Sequence, residues 1–203
     1  GARCVAEALT GQKFARFWMH HGLLTIEGRK MSKSLGNFVT IQDVLKKYSP
    51  DILKLFFLGA HYRSSMDFSF AGLENTKKGY EKIEEFLNKV DILKGQNLPA
   101  GSMDEAWRED VGRKEQEFRD ALSDDFNTAL AVAALFELLN LGNKFLGDIA
   151  KSKAVFHVKE TILSLAAVLG LHPKSSCSIR DVEAQRIKVA DSACVSLDNQ
   201  EIE

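Results

Sequence analysis

The sequence predicts a mainly α-helical chain: a short β-containing N-terminal segment followed by an antiparallel helical bundle. Three observations carry this. Apolar residues recur at three- and four-residue steps through much of the stretch from 77 to 169. Capping and turn residues divide that stretch into four helices. The first fifty residues lack the helical period and hold short β-type runs and a cluster of cations instead.

Composition bounds the rest. The 203 residues are 45% apolar and 27% charged, which excludes a disordered or collagen-like chain. No window reaches the roughly 18 uninterrupted apolar residues of a bilayer span. Gly1-Ala2-Arg3-Cys4-Val5-Ala6-Glu7 has no apolar core after a basic leader, so no secretory signal is read there. A net charge of −1 gives no bulk attraction to nucleic acid, so any such contact must come from local clusters. Cys4, Cys177 and Cys194 are far apart and form no Cys-x-x-Cys. They read as small hydrophobes, not as a disulfide framework or a zinc site.

In chain order, Phe17–Gly22 and Leu23–Ile26 read as short strands, the second closed by a turn at Glu27-Gly28. Phe17 and Trp18 are expected in the core, as large aromatics of a strand usually are. So few strands cannot bury a sheet core, so this region reads as the edge of something larger. Ser49-Pro50-Asp51 opens a helix: Ser49 caps it, Pro50 suits the first turn, and Asp51 faces the positive helix end. The run Ile52–Leu58 is apolar on nearly every side and predicts a helix buried between two layers. Tyr80, Ile83, Leu87 and Val90 mark the buried stripe of the first bundle helix. After the loop at 97–101, Ser102 and Glu105 form a capping box for a helix carrying Trp107, Val111, Phe118 and Leu122. Ser123-Asp124-Asp125 is expected to end that helix and cap the next, from Thr128 to Ile149. A last helix spans about Ala154–Leu169, with Gly170 as its C-cap. Residues 171–203 turn polar and read as a linker or tail.

One segment carries chemistry. Arg29-Lys30-Met31-Ser32-Lys33-Ser34-Leu35-Gly36-Asn37 combines three cations, two hydroxyls and a glycine. Lys30 and Lys33 can place ammonium groups on one polyanion, and Ser32 and Ser34 can donate to phosphate oxygens. Such a loop suits charge developing on a triphosphate during nucleotidyl transfer. Composition alone would favour a solvated basic turn. The order of residues decides between them.

Lys30-Met31-Ser32-Lys33-Ser34 is letter for letter the KMSKS motif of class I aminoacyl-tRNA synthetases, continued by Leu35-Gly36-Asn37. The flanks Phe17–Gly22, Thr40–Tyr48, Gly59–Ser64, Asp67-Phe68-Ser69 and Asp124–Thr128 resemble cysteinyl-tRNA synthetase. Asp51-Ile52-Leu53-Lys54 resembles the Asp-Ala-Leu-Arg helix start found after that loop in several class I enzymes. The resemblance covers about 4–170 and is strongest over 12–69.

It implies a C-terminal edge of a Rossmann-type catalytic domain at 1–48, a stem-contact segment at 49–74, and the helical bundle at 75–170. Residues 171–203 would then be a linker and the start of an anticodon-binding domain. It implies activation of cysteine with ATP and Mg²⁺ to cysteinyl-adenylate, then transfer to the terminal adenosine of tRNA(Cys), by a monomeric cytoplasmic enzyme without membrane contact. Lys33 matches the ATP-phosphate ligand, and Lys30, Ser32 and Ser34 match the rest of the loop. His61, Tyr62 and Arg63 are candidates for tRNA or domain-interface contacts. The family's His-Ile-Gly-His motif is not in the sequence. Its zinc ligands would lie upstream of residue 3, with Gly1-Ala2 reading as a cloning remnant, so no metal ligands are assigned here. His20 and His21, adjacent on a strand, would point to opposite faces and share no metal. The chain by itself is expected neither to form the adenylate nor to bind zinc. Two alternatives stay open: a cysteine ligase of thiol-cofactor synthesis in the same structural family, and a non-catalytic helical RNA-binding module.

Overall fold

The chain was described from a computed structural model, which covers residues 7–26, 28–31, 38–94, 106–147 and 152–174. The elements in chain order are β1 (Leu24–Ile26), β2 (Arg29–Lys30), α1 (Ile41–Leu45), α2 (Pro50–Leu58), β3 (Met66–Phe68), α3 (Phe70–Lys94), α4 (Ala106–Ser123), α5 (Thr128–Leu146) and α6 (Ser152–Val168), of which β2, α1 and β3 are not expected from the sequence.

The three strands form one sheet in the order β2-β1-β3. β1 and β2 are antiparallel, with Thr25 opposite Lys30, and β1 and β3 are parallel, with Thr25 opposite Asp67. The parallel pair needs a long crossover, and α1 and α2 supply it. Both helices are capped as their sequences dictate. Thr40 Oγ1 accepts from the Asp43 N–H at 3.1 Å, and Ser49 Oγ from the Ile52 N–H at 3.4 Å, with Pro50 in the first turn of α2.

Two apolar cores share one long helix. The first gathers Val44, Tyr48, Ile52, Leu55, Phe68 and Leu73 beneath the sheet. The second fills the bundle with Phe86, Leu87, Phe118, Leu135, Leu138 and Ile162, all essentially inaccessible. α3 runs through both, because Leu73 and Tyr80 lie on the first and Ile83, Leu87 and Val90 on the second. The expected stripe on this helix is buried throughout. α5 is the central helix of the bundle. Among the described residues it is the one helix with the length and hydropathy of a membrane span, yet Glu137, Asn140, Asn143 and Lys144 interrupt it and its apolar face meets α4 and α6. Gly142 lets α5 approach: a Cβ there would lie 2.6 Å from Phe86 Cζ and 2.9 Å from Val158 Cγ1.

Several expectations change. Phe17 and Trp18 are 87% and 48% exposed, not core, because the described chain offers no further sheet to cover them; Trp18 stacks on Phe14 instead. Residues 17–22 form no strand. Gly22 passes too close to the 62–65 backbone for a regular ladder, with its N–H on the Tyr62 carbonyl at 2.7 Å and room for no Cβ beside the Ser64 carbonyl. α2 is not buried all round, since Phe57 and Lys54 face outward while Ile52, Leu53 and Leu55 face in. The cap of α5 is Asn127, whose Oδ1 accepts from the Leu130 N–H at 3.2 Å, and not Ser123–Asp125. Ser102 and Glu105, the expected capping box, lie outside the described residues. Leu171 is 1% exposed and belongs to the first core, so the packed chain continues past α6.

That continuation is held by charge. Asp51 Oδ2 accepts from the Tyr80 hydroxyl at 3.0 Å and the His172 N–H at 2.8 Å, and Asp51 Oδ1 accepts from Lys54 Nζ at 3.0 Å. Lys54 Nζ also donates to the Gly170 carbonyl at 2.7 Å, and the Lys174 N–H to Glu84 Oε1 at 3.1 Å. Burial of the Asp51 carboxyl opposes its ionisation. The His172 N–H, Lys54 and Tyr80 outweigh it and hold the carboxyl below the usual carboxylate range. Burial first, then the Asp51 charge, pushes the Tyr80 phenol well above its ordinary value.

Gly142→Ala should destabilise the chain. Alanine improves helix propensity by up to about 1 kcal/mol, but overpacking against a buried ring costs about 1–3 kcal/mol. Denaturant unfolding should show a net loss, and a gain would mean that Phe86 can move aside. For Asp51, the lowered carboxyl implies a contribution that is complete above about pH 4–5 and lost as pH falls through the folded value. The stability difference between the wild type and Asp51→Asn should therefore be constant near neutrality and shrink below about pH 4. A difference independent of pH down to 2 would show that the charge of Asp51 plays no part.

Candidate functional site

The basic segment leaves the sheet at β2. Lys30 pairs in register with Thr25 and is exposed, as is Arg29. Met31 follows and lines an apolar cavity of about 180 Å³ together with Leu24, Ile26, Val44, Leu53 and Phe68. Ser32, Lys33 and Ser34 lie outside the described residues. The chain returns at Phe38 and enters α1 through Thr40. The two ends of the segment are thus fixed to one apolar floor, on which side chains of β1, β3, α1 and α2 meet.

The start of the segment is fixed by a turn. Gly28 has φ +69°, a left-handed value that costs glycine little and other residues more. Its N–H donates to Asp67 Oδ1 at 2.8 Å, and the Thr25 hydroxyl donates to the same oxygen at 2.7 Å. These bonds, the Gly28 N–H first, hold the Asp67 carboxyl below its ordinary range. Asp67 sits opposite Thr25 on the parallel strand, with β1 between it and Lys30. Sequence reasoning assigned it no role. The available signal was a short acidic residue in a three-residue strand where a β-type residue is usual.

His61, Tyr62 and Arg63 meet a partner inside the chain. The Tyr62 hydroxyl donates to Asp125 Oδ1 at 2.7 Å, Arg63 Nε pairs with Asp125 Oδ2 at 2.8 Å, and His61 Nε2 lies 3.8 Å from Oδ2. The His61 and Tyr62 rings stack at 4.9 Å, and the Arg63 guanidinium lies over Tyr62 at 5.5 Å. The Tyr62 hydroxyl, then Arg63 and His61, hold the Asp125 carboxyl below its usual value. Asp125 and Phe126 have φ of 52° and 54°, so the α4–α5 turn bends through two left-handed non-glycine residues. Thr128 Oγ1 lies 3.4 Å from the Ala60 carbonyl and adds a second contact between the same segments. The three residues thus join the α2–β3 segment to the α4–α5 turn. Asp125, in the Asp124–Thr128 motif, is the partner that sequence reasoning did not single out.

Among the described residues no group of three His, Cys, Asp or Glu side chains could hold a metal ion. His20 and His21 lie on no strand, and His21 Nδ1 donates to the Gly22 carbonyl at 2.7 Å. The described residues do not fit a zinc site, and no step is assigned to one.

Comparison with known proteins fits this arrangement. Residues 2–78 match the family model described as tRNA synthetases class I (C) catalytic domain, and 117–172 match the DALR domain. A cysteine–tRNA ligase of Persephonella marina is 46% identical over 151 residues, covering 74% of this chain and 30% of that protein. One of Geobacter sulfurreducens is 38% identical over 200 residues, covering 98% of this chain and 41% of that protein. The chain therefore spans well under half the length of these relatives. Its fold is shared with a leucyl-tRNA synthetase, the agnB2 LeuRS of Agrobacterium radiobacter K84 solved as a ternary complex with tRNA and LeuAMS. The TM-score is 0.61 at 18% identity, covering 86% of this chain and 26% of that one. In sequence, the chain is similar to part of the cysteine–tRNA ligases, with a class I (C) catalytic-domain segment followed by a DALR domain.

Proposed function

We propose that this chain is the part of a cysteine–tRNA ligase that carries the phosphate-stabilising loop and the helices beyond it. The observation that carries the reading is the intact Lys30-Met31-Ser32-Lys33-Ser34 motif within a stretch matching the class I (C) catalytic domain. The relatives' names support cysteine as the amino acid.

In this reading 1–48 is the C-terminal edge of the Rossmann-type catalytic domain, and ATP with Mg²⁺ is the substrate. A carboxylate oxygen of cysteine attacks the α-phosphorus, the bond from that phosphorus to the oxygen leading to the β-phosphate breaks, and pyrophosphate leaves. Negative charge grows on the departing pyrophosphate. Lys33, seconded by Lys30, offsets it, while Ser32 and Ser34 donate to phosphate oxygens. A ribose hydroxyl of the terminal adenosine of tRNA(Cys) then attacks the cysteinyl carbonyl and expels AMP. Lys30 is exposed at the end of β2. We place the enzyme in the cytoplasm, acting as a monomer.

Lys33→Ala in the longer ligase should slow cysteine-dependent ATP–pyrophosphate exchange by roughly 30- to 700-fold, equivalent to about 2–4 kcal/mol of transition-state stabilisation. The thermal midpoint should stay within about a degree, because a loop lysine contributes little to folding. Exchange at the wild-type rate would remove Lys33 from the site. Exchange that depends on cysteine but gives no charging of tRNA would favour a ligase with a different acceptor.

A further inference from the structure

The turn that launches the basic segment is held by a side chain from another strand. β2 is two residues long and β1 three, too few ladder bonds to hold the segment's direction by themselves. The tip of the turn, Gly28, has its N–H on Asp67 Oδ1, and the hydroxyl of Thr25, the residue opposite Lys30, is on the same oxygen. Thr25 Oγ1 also lies 3.3 Å from the Met66 carbonyl. One carboxylate oxygen therefore ties β3 to β1 and to the tip of the β1–β2 turn. β3 is itself anchored, since Phe68 is buried in the first core and edge-on to Phe56 at 5.7 Å. The path from the core to Lys30 runs Phe68, Asp67, then Gly28 and Thr25.

We propose that Asp67 is a positioning residue for nucleotidyl transfer: by fixing the Gly28 turn it sets the angle at which Lys30 leaves the sheet toward the triphosphate. The inference rests on the function proposed above. Asp67 touches no reacting atom in this scheme and acts through the turn. Misplacement of a charged group by about 1 Å can cost up to about 10²-fold in rate, so a side chain that contributes little to folding can matter to turnover. Aspartate suits the place because its short side chain spans one strand spacing, and an ionised oxygen can accept two donors at once.

The test compares Asp67→Ala, Asp67→Asn and the wild type in the longer ligase by cysteine-dependent ATP–pyrophosphate exchange, with Gly28 amide hydrogen exchange measured alongside. Asp67→Ala should lower kcat about 10-fold or more, leave the KM for cysteine within about twofold, and speed Gly28 exchange. Asp67→Asn keeps an oxygen at the same position and should recover kcat to within about threefold. Three results would overturn the inference: an unchanged kcat in Asp67→Ala despite faster Gly28 exchange, an unchanged Gly28 amide, or a kcat loss in Asp67→Asn as large as in Asp67→Ala. Wild-type protein without any cysteine-dependent exchange would instead remove the proposed function, and this inference with it.

Discussion

The Asp51 carboxylate is the constraint on which the arrangement of the two halves depends. It sits in the first turn of α2, where the helix end already favours a negative charge. From there it reaches the Tyr80 hydroxyl on α3 and the His172 N–H beyond α6. Lys54, one turn along α2, closes the set by bonding both Asp51 and the Gly170 carbonyl. Of its donors the Tyr80 hydroxyl is buried, so losing the carboxylate would leave that group unsatisfied as well as releasing the His172 N–H and Lys54. The result fixes the end of the bundle to the helix that packs beneath the sheet.

Around that node the apolar packing is divided by α3. Its first turns belong with α1, α2 and β3, and its later turns with α4, α5 and α6. A helix of 25 residues spans about 37 Å at the usual rise, long enough to be common to both cores and to transmit the position of one to the other. The Asp125 contacts form a second tie on the surface. Its ion pair with Arg63 is exposed and contributes little by itself, but the Tyr62 hydroxyl and the His61–Tyr62 stack give it fixed geometry.

The basic segment lies at the opposite extreme. Near-zero net charge gives the chain no long-range field for polyanions, so attraction to phosphate has to be built locally. What the fold supplies is direction: a left-handed glycine, one carboxylate oxygen and a short hairpin aim Lys30 away from an apolar floor. The carboxylate that gives direction is not a group that would do the chemistry, and it comes from a strand about forty residues further along.

The sequence by itself determined the mainly helical class, the succession of helices from α2 to α6, the caps at Ser49 and Gly170, the buried stripe of α3 and the basic motif. These depend on local periodicity, cap chemistry and residue order, all legible within one or two turns of chain. It misplaced Phe17 and Trp18, because whether an aromatic is buried depends on what covers it. It also put the α5 cap too early, because two left-handed residues bend the chain before Asn127 can act. Only the tertiary structure decided that Asp67 holds the Gly28 turn, that Asp125 receives Tyr62 and Arg63, and that Leu171 and His172 belong to the packed chain. In each case the partners lie some forty to one hundred and twenty residues apart, and no local pattern encodes a hydrogen bond whose two ends meet only after the helices between them have packed.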